Sequence, residues 1–138
     1  MNKILLPVDG SESTKTYEMA KSLALKYDAT LLILHVDEPI TPIYWANDTL
    51  TLENPTITCT ENGGPIVEEA SKFFTEVEIE TMCRFGDASS VIIEVSEEEN
   101  CDVIVMCTHG MSAIRRFLLG SVTNKVVHHA TIPVLVVR

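Results

Sequence analysis

Four short stretches of the chain are apolar almost throughout: Lys3–Val8 (KILLPV), Thr30–Val36 (TLLILHV), Val103–Met106 and Pro133–Val137 (PVLVV). Continuous apolar runs of this length read as strands buried on both faces, as in a parallel sheet. Glu76–Met82 is different, because Glu76, Glu78 and Glu80 alternate with Val77 and Ile79. One face of that strand is wet, which places it at a sheet edge. Pro133 opens its own strand, where a missing N–H is tolerated, most readily at an edge.

Helical patterns separate these runs. In Ser13–Tyr27, residues Tyr17, Ala20, Leu23, Ala24 and Tyr27 fall on one face, with Ser11 or Ser13 as N-cap. In Ser89–Glu99 the apolar stripe is Val91, Ile92 and Val95, with Asp87 as cap. After Ser121, Val122, Val126 and His129 share a face, with Val127 beside them. Pro65–Phe74 offers a short helix between the second and third strands. Strand and helix therefore alternate along one domain, 1–138. This predicts an α/β fold: a doubly wound, five-stranded parallel sheet with helices on both faces. A 3-2-1-4-5 strand order puts the wet strand at one edge and the Pro-led strand at the other.

The irregular part is Asp37–Gly64, which holds Pro39, Pro42, Pro55, the Gly63-Gly64 pair and the sole tryptophan, Trp45. A connection of this length suits a lid or binding loop, so Trp45 fluorescence is expected to respond to a ligand.

In the 3-2-1-4-5 order, strands one and four are neighbours whose connections leave in opposite directions, and ligands bind in the crevice at their C-terminal ends. The first strand ends in Pro7-Val8-Asp9-Gly10-Ser11 and the fourth in Met106-Cys107-Thr108-His109-Gly110. From Gly110 the chain runs to Gly120-Ser121 and then into a helix. A glycine-bounded loop leading into a helix N-terminus brings bare N–H groups and the positive end of the helix dipole to one point, as a phosphate requires. Gly120 lets a phosphate approach the backbone, Ser121 adds a hydroxyl, and Thr123 sits in the first turn. The Gly-Ser pair is equally an ordinary helix cap. Asp9 can accept hydrogen bonds from an adenine or ribose or hold a metal-bound phosphate; Asp-Gly-Ser is also a common turn. Arg115 and Arg116 can clamp phosphate oxygens or stand solvated, and His109 can donate to a ligand or occupy the loop alone. Cys107 reads as a small packed residue, with no base next to it to make a nucleophile.

Charge sharpens the choice of ligand. The 138-residue chain has a formal net charge of −10, which argues against general binding to nucleic acid or anionic membranes. Yet Asp102 is the one acid among residues 101–138, against Arg115, Arg116, Lys125 and Arg138. The glycine loop lies in this cationic segment, so a small anion is the expected partner. The four cysteines form no CxxC pair and no zinc spacing, which predicts a reduced, cytoplasmic protein without a structural metal. No membrane span or signal peptide is expected.

Taken together, ILLPVDGS (4–11), LLILHV (31–36), CDVIVMCTHG (101–110), LLGSVTNKVVHHA (118–130) and PVLVVR (133–138) resemble the universal stress protein family. The resemblance covers about two thirds of the chain and is poor over 37–75. It implies a Rossmann-like five-stranded fold, a stress-response role and a homodimer paired through the last strand, Pro133–Arg138. One branch of the family binds adenine nucleotides through a Gly-x2-Gly-x9-Gly-Ser/Thr motif. Here Gly110, Gly120 and Ser121 match it, and Cys107 stands in place of the first glycine. The resemblance implies that Asp9 and Val36 contact the adenine, that Met106 lines its pocket, and that Gly110, Gly120, Ser121, Val122 and Thr123 surround ribose and phosphates. Pro7, Val8, Cys107, His109 and Arg116 are further candidate nucleotide-binding residues. The implied ligand is ATP in preference to AMP, with Mg2+ carried on the phosphates. Weakened rather than abolished binding is expected from Cys107. Two other readings share these features: a nucleotide-free dimeric interaction protein, and a slow ATPase, for which no assembled nucleophile and base are visible.

Overall fold

The computed structural model describes residues 1–38, 63–108 and 120–138. Its elements run β1 (Lys3–Pro7), α1 (Thr14–Tyr27), β2 (Thr30–Asp37), α2 (Gly63–Ser71), β3 (Ile79–Phe85), α3 (Ala88–Glu98), β4 (Val103–Cys107), α4 (Ser121–His129) and β5 (Val134–Val137). The five strands form one parallel sheet in the order β3-β2-β1-β4-β5. This is the doubly wound topology that the alternation of patterns predicts.

Alternation along the central strands divides the core between two layers. Ile4, Leu6, Leu31, Ile33 and Val105 point to one face, where they pack with Ala20, Ala24 and Phe74. Leu5, Leu32, Leu34 and Ile104 point to the other and meet Val91, Ile92, Val95 and Val126. Both faces of β1, β2 and β4 are therefore apolar, which is why these strands read as unbroken hydrophobic runs.

Local chemistry sets the helix ends. Ser13 caps α1 by accepting from the Thr16 N–H, and Asp87 caps α3 by accepting from the Ser90 N–H. α1 stops at Asp28, whose φ of 51° breaks the helix. Tyr27 thus ends the last turn and is exposed, contrary to the expected apolar face, while Thr16 is buried. His129 likewise ends α4 and is exposed; Thr123 and Val126 fill the buried face instead.

Two boundaries differ from the sequence pattern. The edge strand starts at Ile79, not Glu76: its register with β2 opens at Leu31–Ile79, with the Leu31 N–H donating to the Glu78 carbonyl just before it. A strand exists only where its neighbour does, so Glu76 and Val77 lie in the turn after the buried Phe74. Both ends of the stretch Asp37–Gly64 lie in regular elements: Asp37 belongs to β2 and Gly63 opens α2, which ends at Ser71. Trp45 lies outside the described residues.

Candidate functional site

The C-terminal ends of β1, β2 and β4 surround a cavity of about 480 Å³, within the ~300–1,000 Å³ range typical of small-molecule sites. Pro7, Val8 and Asp9 enter from β1, and Val36 from β2. Met106 and Cys107 come from β4, and Gly120, Ser121, Val122 and Thr123 from the start of α4. Ten residues picked out from the sequence thus line one cavity. His109, Gly110, Arg115 and Arg116 lie outside the described residues.

Two hydrogen bonds bring α4 to the end of β4. The Gly120 N–H donates to the Thr108 carbonyl, and Thr123 Oγ1 donates to the Cys107 carbonyl at 2.9 Å. Gly120 is the N-cap of α4 and supplies no side-chain bond to the first turn. The first N–H groups of a helix have no intrahelical acceptors, so this end can receive an anion. Gly120 has φ −60° and ψ 155°, which any residue can adopt. What it contributes is room rather than conformational freedom. Cys107, too, is absent from the positive-φ positions, which among described non-glycine residues are Asp28 and Asn100. Cysteine therefore occupies the motif's first glycine position without backbone strain, and only its side-chain volume is new.

The opposite wall is acidic. Asp9 begins a tight turn that Gly10 completes at φ 93°, a conformation that favours glycine. The Asp9 carboxylate accepts from the Ser11 N–H at 2.8 Å and from the Ser11 hydroxyl. Partial desolvation pulls the Asp9 pKa up, but the bonds from Ser11 and the contact with Glu12 outweigh it and hold it below the ordinary range. Glu12 accepts from the N–H groups of Asp9 and Gly10 and from the Tyr17 hydroxyl at 3.3 Å. Burial, helped by the neighbouring Asp9, pushes Glu12 up to about 7 despite those backbone bonds. Burial also raises Tyr17, as does the charge of Glu12. Asp37 and Glu38 extend the acidic wall at the end of β2, beside the buried His35. Leu34, Ala88 and Ile92 give the cavity an apolar flank.

A cavity with four carboxyls at one side and a helix N-terminus at the other suits an elongated ligand with hydrogen-bond donors at one end and negative charge at the other. Sequence reasoning passed over Glu12, His35, Asp37 and Glu38. The available signal was in β2, where polar residues at 35 and 37 interrupt an otherwise apolar run and share one face.

The family model described as the universal stress protein family matches residues 1–138. The chain belongs to the universal stress protein family. A relative is a putative universal stress protein of Staphylococcus aureus (strain USA300), 33% identical over 144 residues, covering 98% of this chain and 82% of the relative. Among solved structures, a universal stress protein in complex with cAMP aligns with a TM-score of 0.74 at 22% identity, covering 99% of this chain and 97% of the other. The universal stress protein from Archaeoglobus fulgidus in complex with dAMP aligns with a TM-score of 0.66 at 19% identity, covering 100% and 98%. At these identities the two structures establish the shared fold. Among the described residues of this universal stress protein, no helix is long and apolar enough to cross a membrane. No group of three or more His, Cys, Asp or Glu among them is arranged to hold a metal ion.

Proposed function

We propose that this universal stress protein binds an adenine nucleotide, ATP in preference to AMP, as a cytoplasmic stress-response or regulatory protein built from one domain, 1–138. The observation that carries the reading is the meeting of Asp9 and the start of α4 in one cavity. Asp9 and the main chain about Val36 would receive the base, with Met106 against its face. Gly120, Ser121 and Thr123 would surround the phosphates, joined by Gly110 of the sequence motif and by the candidates His109 and Arg116. The related proteins solved with cAMP and dAMP support an adenine base. Mg2+ would enter on the phosphates rather than in a site of its own. Mass spectrometry of small molecules released from heat-denatured protein, with ATP and AMP titrations in magnesium, tests this. Finding no carried nucleotide and no binding would reject it.

The same reading includes a homodimer through Pro133–Arg138. β5 stands at the sheet edge, its four residues all half-buried, and an apolar edge of this kind offers unpaired main-chain groups to a second copy. A nucleotide-free dimeric interaction protein is the second reading. The observation that favours it is the Cys107 side chain at the cavity wall, where the nucleotide-binding motif has glycine.

A further inference from the structure

Val8 is the first residue past β1. Its N–H donates to the Leu34 carbonyl at 2.7 Å, and its own carbonyl lies 2.7 Å from Nδ1 of His35. On the other side of the ring, Nε2 lies 3.0 Å from Oδ1 of Asp37. The two side chains are only 10% and 11% exposed. Asp37 is held in turn by the Gly86 N–H, which donates to its main-chain carbonyl at 2.9 Å. One path of hydrogen bonds therefore runs from the end of β3, through Asp37 and His35, to the peptide that leads into Asp9.

Counting protons along this path constrains it. A carbonyl only accepts, so Nδ1 carries a hydrogen. A bare Nε2 facing a carboxylate oxygen at 3.0 Å would oppose lone pair to lone pair. A second proton therefore lies between them, whichever atom it is formally written on. Ring and carboxyl together are then neutral, the form that burial favours. Asp37 Oδ2 is buried with no hydrogen-bond partner, so the link to His35 is the carboxyl's hydrogen bond among the described residues.

We propose that His35 and Asp37 are positioning residues for the cavity, a proton-sharing imidazole–carboxyl pair that fixes the Val8–Asp9 peptide and so the angle at which Asp9 meets a ligand. Its ligand rests on the nucleotide reading above; its geometry does not. Asp9 is exposed and ends no regular element; Glu12 holds the N–H side of the peptide before it, and the carbonyl side of that peptide is held by His35. The His35 ring does this from a rigid strand, which places a site more accurately than a loop does.

The full chain is tested as wild type, His35→Leu, His35→Asn and Asp37→Leu. Imidazole 15N spectra of the ligand-free wild type near neutral pH are expected to show Nδ1 protonated and a protected proton between Nε2 and Asp37. A ring whose sole hydrogen sits on Nε2 overturns the pair. The Asp9 and Gly10 amide signals are expected to move in His35→Leu and to return toward wild type in His35→Asn, whose amide can still donate to Val8. Signals that stay in place overturn the positioning role. ATP affinity is expected to fall about tenfold in His35→Leu, the worth of one hydrogen bond, and to recover in part in His35→Asn. Unchanged affinity in His35→Leu overturns it. Where His35→Leu fails to fold, Asp37→Leu replaces it, with a moved Asp9 amide in support and an unmoved one against. If wild type binds no ATP, the nucleotide reading fails, while the ring and amide spectra still decide on the pair.

Discussion

The hydroxyl of Thr123 donates to the carbonyl of Cys107 at 2.9 Å, and the donor is buried. This bond ties the first turn of α4 to the last residue of β4. Thr123→Val keeps the shape and removes this donor to the half-buried end of β4. Unfolding in urea is expected to show a loss of about 1–2 kcal/mol, with weaker ATP binding as the helix start loosens.

Gly120 separates conformation from space. Its φ of −60° and ψ of 155° suit any residue, so Gly120→Val is expected to fold with an unchanged circular dichroism spectrum. The added side chain sits where phosphates would approach the first turn. ATP affinity is expected to fall by about tenfold or more, read by calorimetry. Retained affinity in a folded variant would place the phosphates elsewhere.

Cys107→Gly restores the glycine of the nucleotide-binding motif. No positive φ demands glycine at this strand end. Any gain in ATP affinity therefore reports the crowding by the cysteine side chain alone. Tighter binding is expected, together with a stability loss of about 0.5–1 kcal/mol from placing glycine in a strand.

Glu12 makes the cavity sensitive to pH. Burial and the neighbouring Asp9 carry it up to about 7, with Tyr17 bonded to it and His35, Asp37 and Glu38 lining the same cavity from the end of β2. Below that value Glu12 is neutral; above it, a second negative charge stands beside Asp9 and repels a polyphosphate. ATP affinity is expected to fall as pH rises through about 7. Glu12→Gln should flatten that part of the profile and separate it from the titration of ATP itself. Stability has the same sign. The folded value lies above the ordinary 4.5, so the contribution of Glu12 is whole below about 4.5 and is lost as pH rises through about 7. The ligand-free wild type should lose more stability across that interval than Glu12→Gln.

β5 gives a test of the dimer. The carbonyls of Pro133 and Val137 accept from Ile104 on β4 and from Thr108 just past it, so the main-chain groups of Val134 and Val136 point to the free edge. Val136→Pro removes one outward N–H and leaves the bonds to β4 intact, a position where proline is tolerated. Sedimentation is expected to show a monomer with a wild-type spectrum. A persistent dimer would move the interface away from β5.

The sheet was legible because its order follows from which strands are apolar on both faces. Leu5, Leu32 and Ile104 leave no wet side, whereas Glu78 and Glu80 do, and that contrast separates centre from edge. The exact start of β3 was not legible, because alternation continues through Glu76 and only the register with β2 marks where pairing begins. In the cavity, Asp9 and Gly120–Thr123 were found by position at strand and helix ends. Glu12 and His35 were passed over because their roles depend on main-chain groups that a sequence pattern does not display: the N–H of Asp9 and Gly10, and the carbonyl of Val8.

The contact between Gly120 and Thr108 has a consequence for how the helix start is aimed. The Gly120 N–H donates to the Thr108 carbonyl and the Thr123 hydroxyl to the Cys107 carbonyl. Two consecutive carbonyls at the end of β4 thus hold the start of α4. A helix pinned at two neighbouring points cannot tilt without breaking one of them. The direction in which α4 presents its first N–H groups is therefore inherited from the sheet.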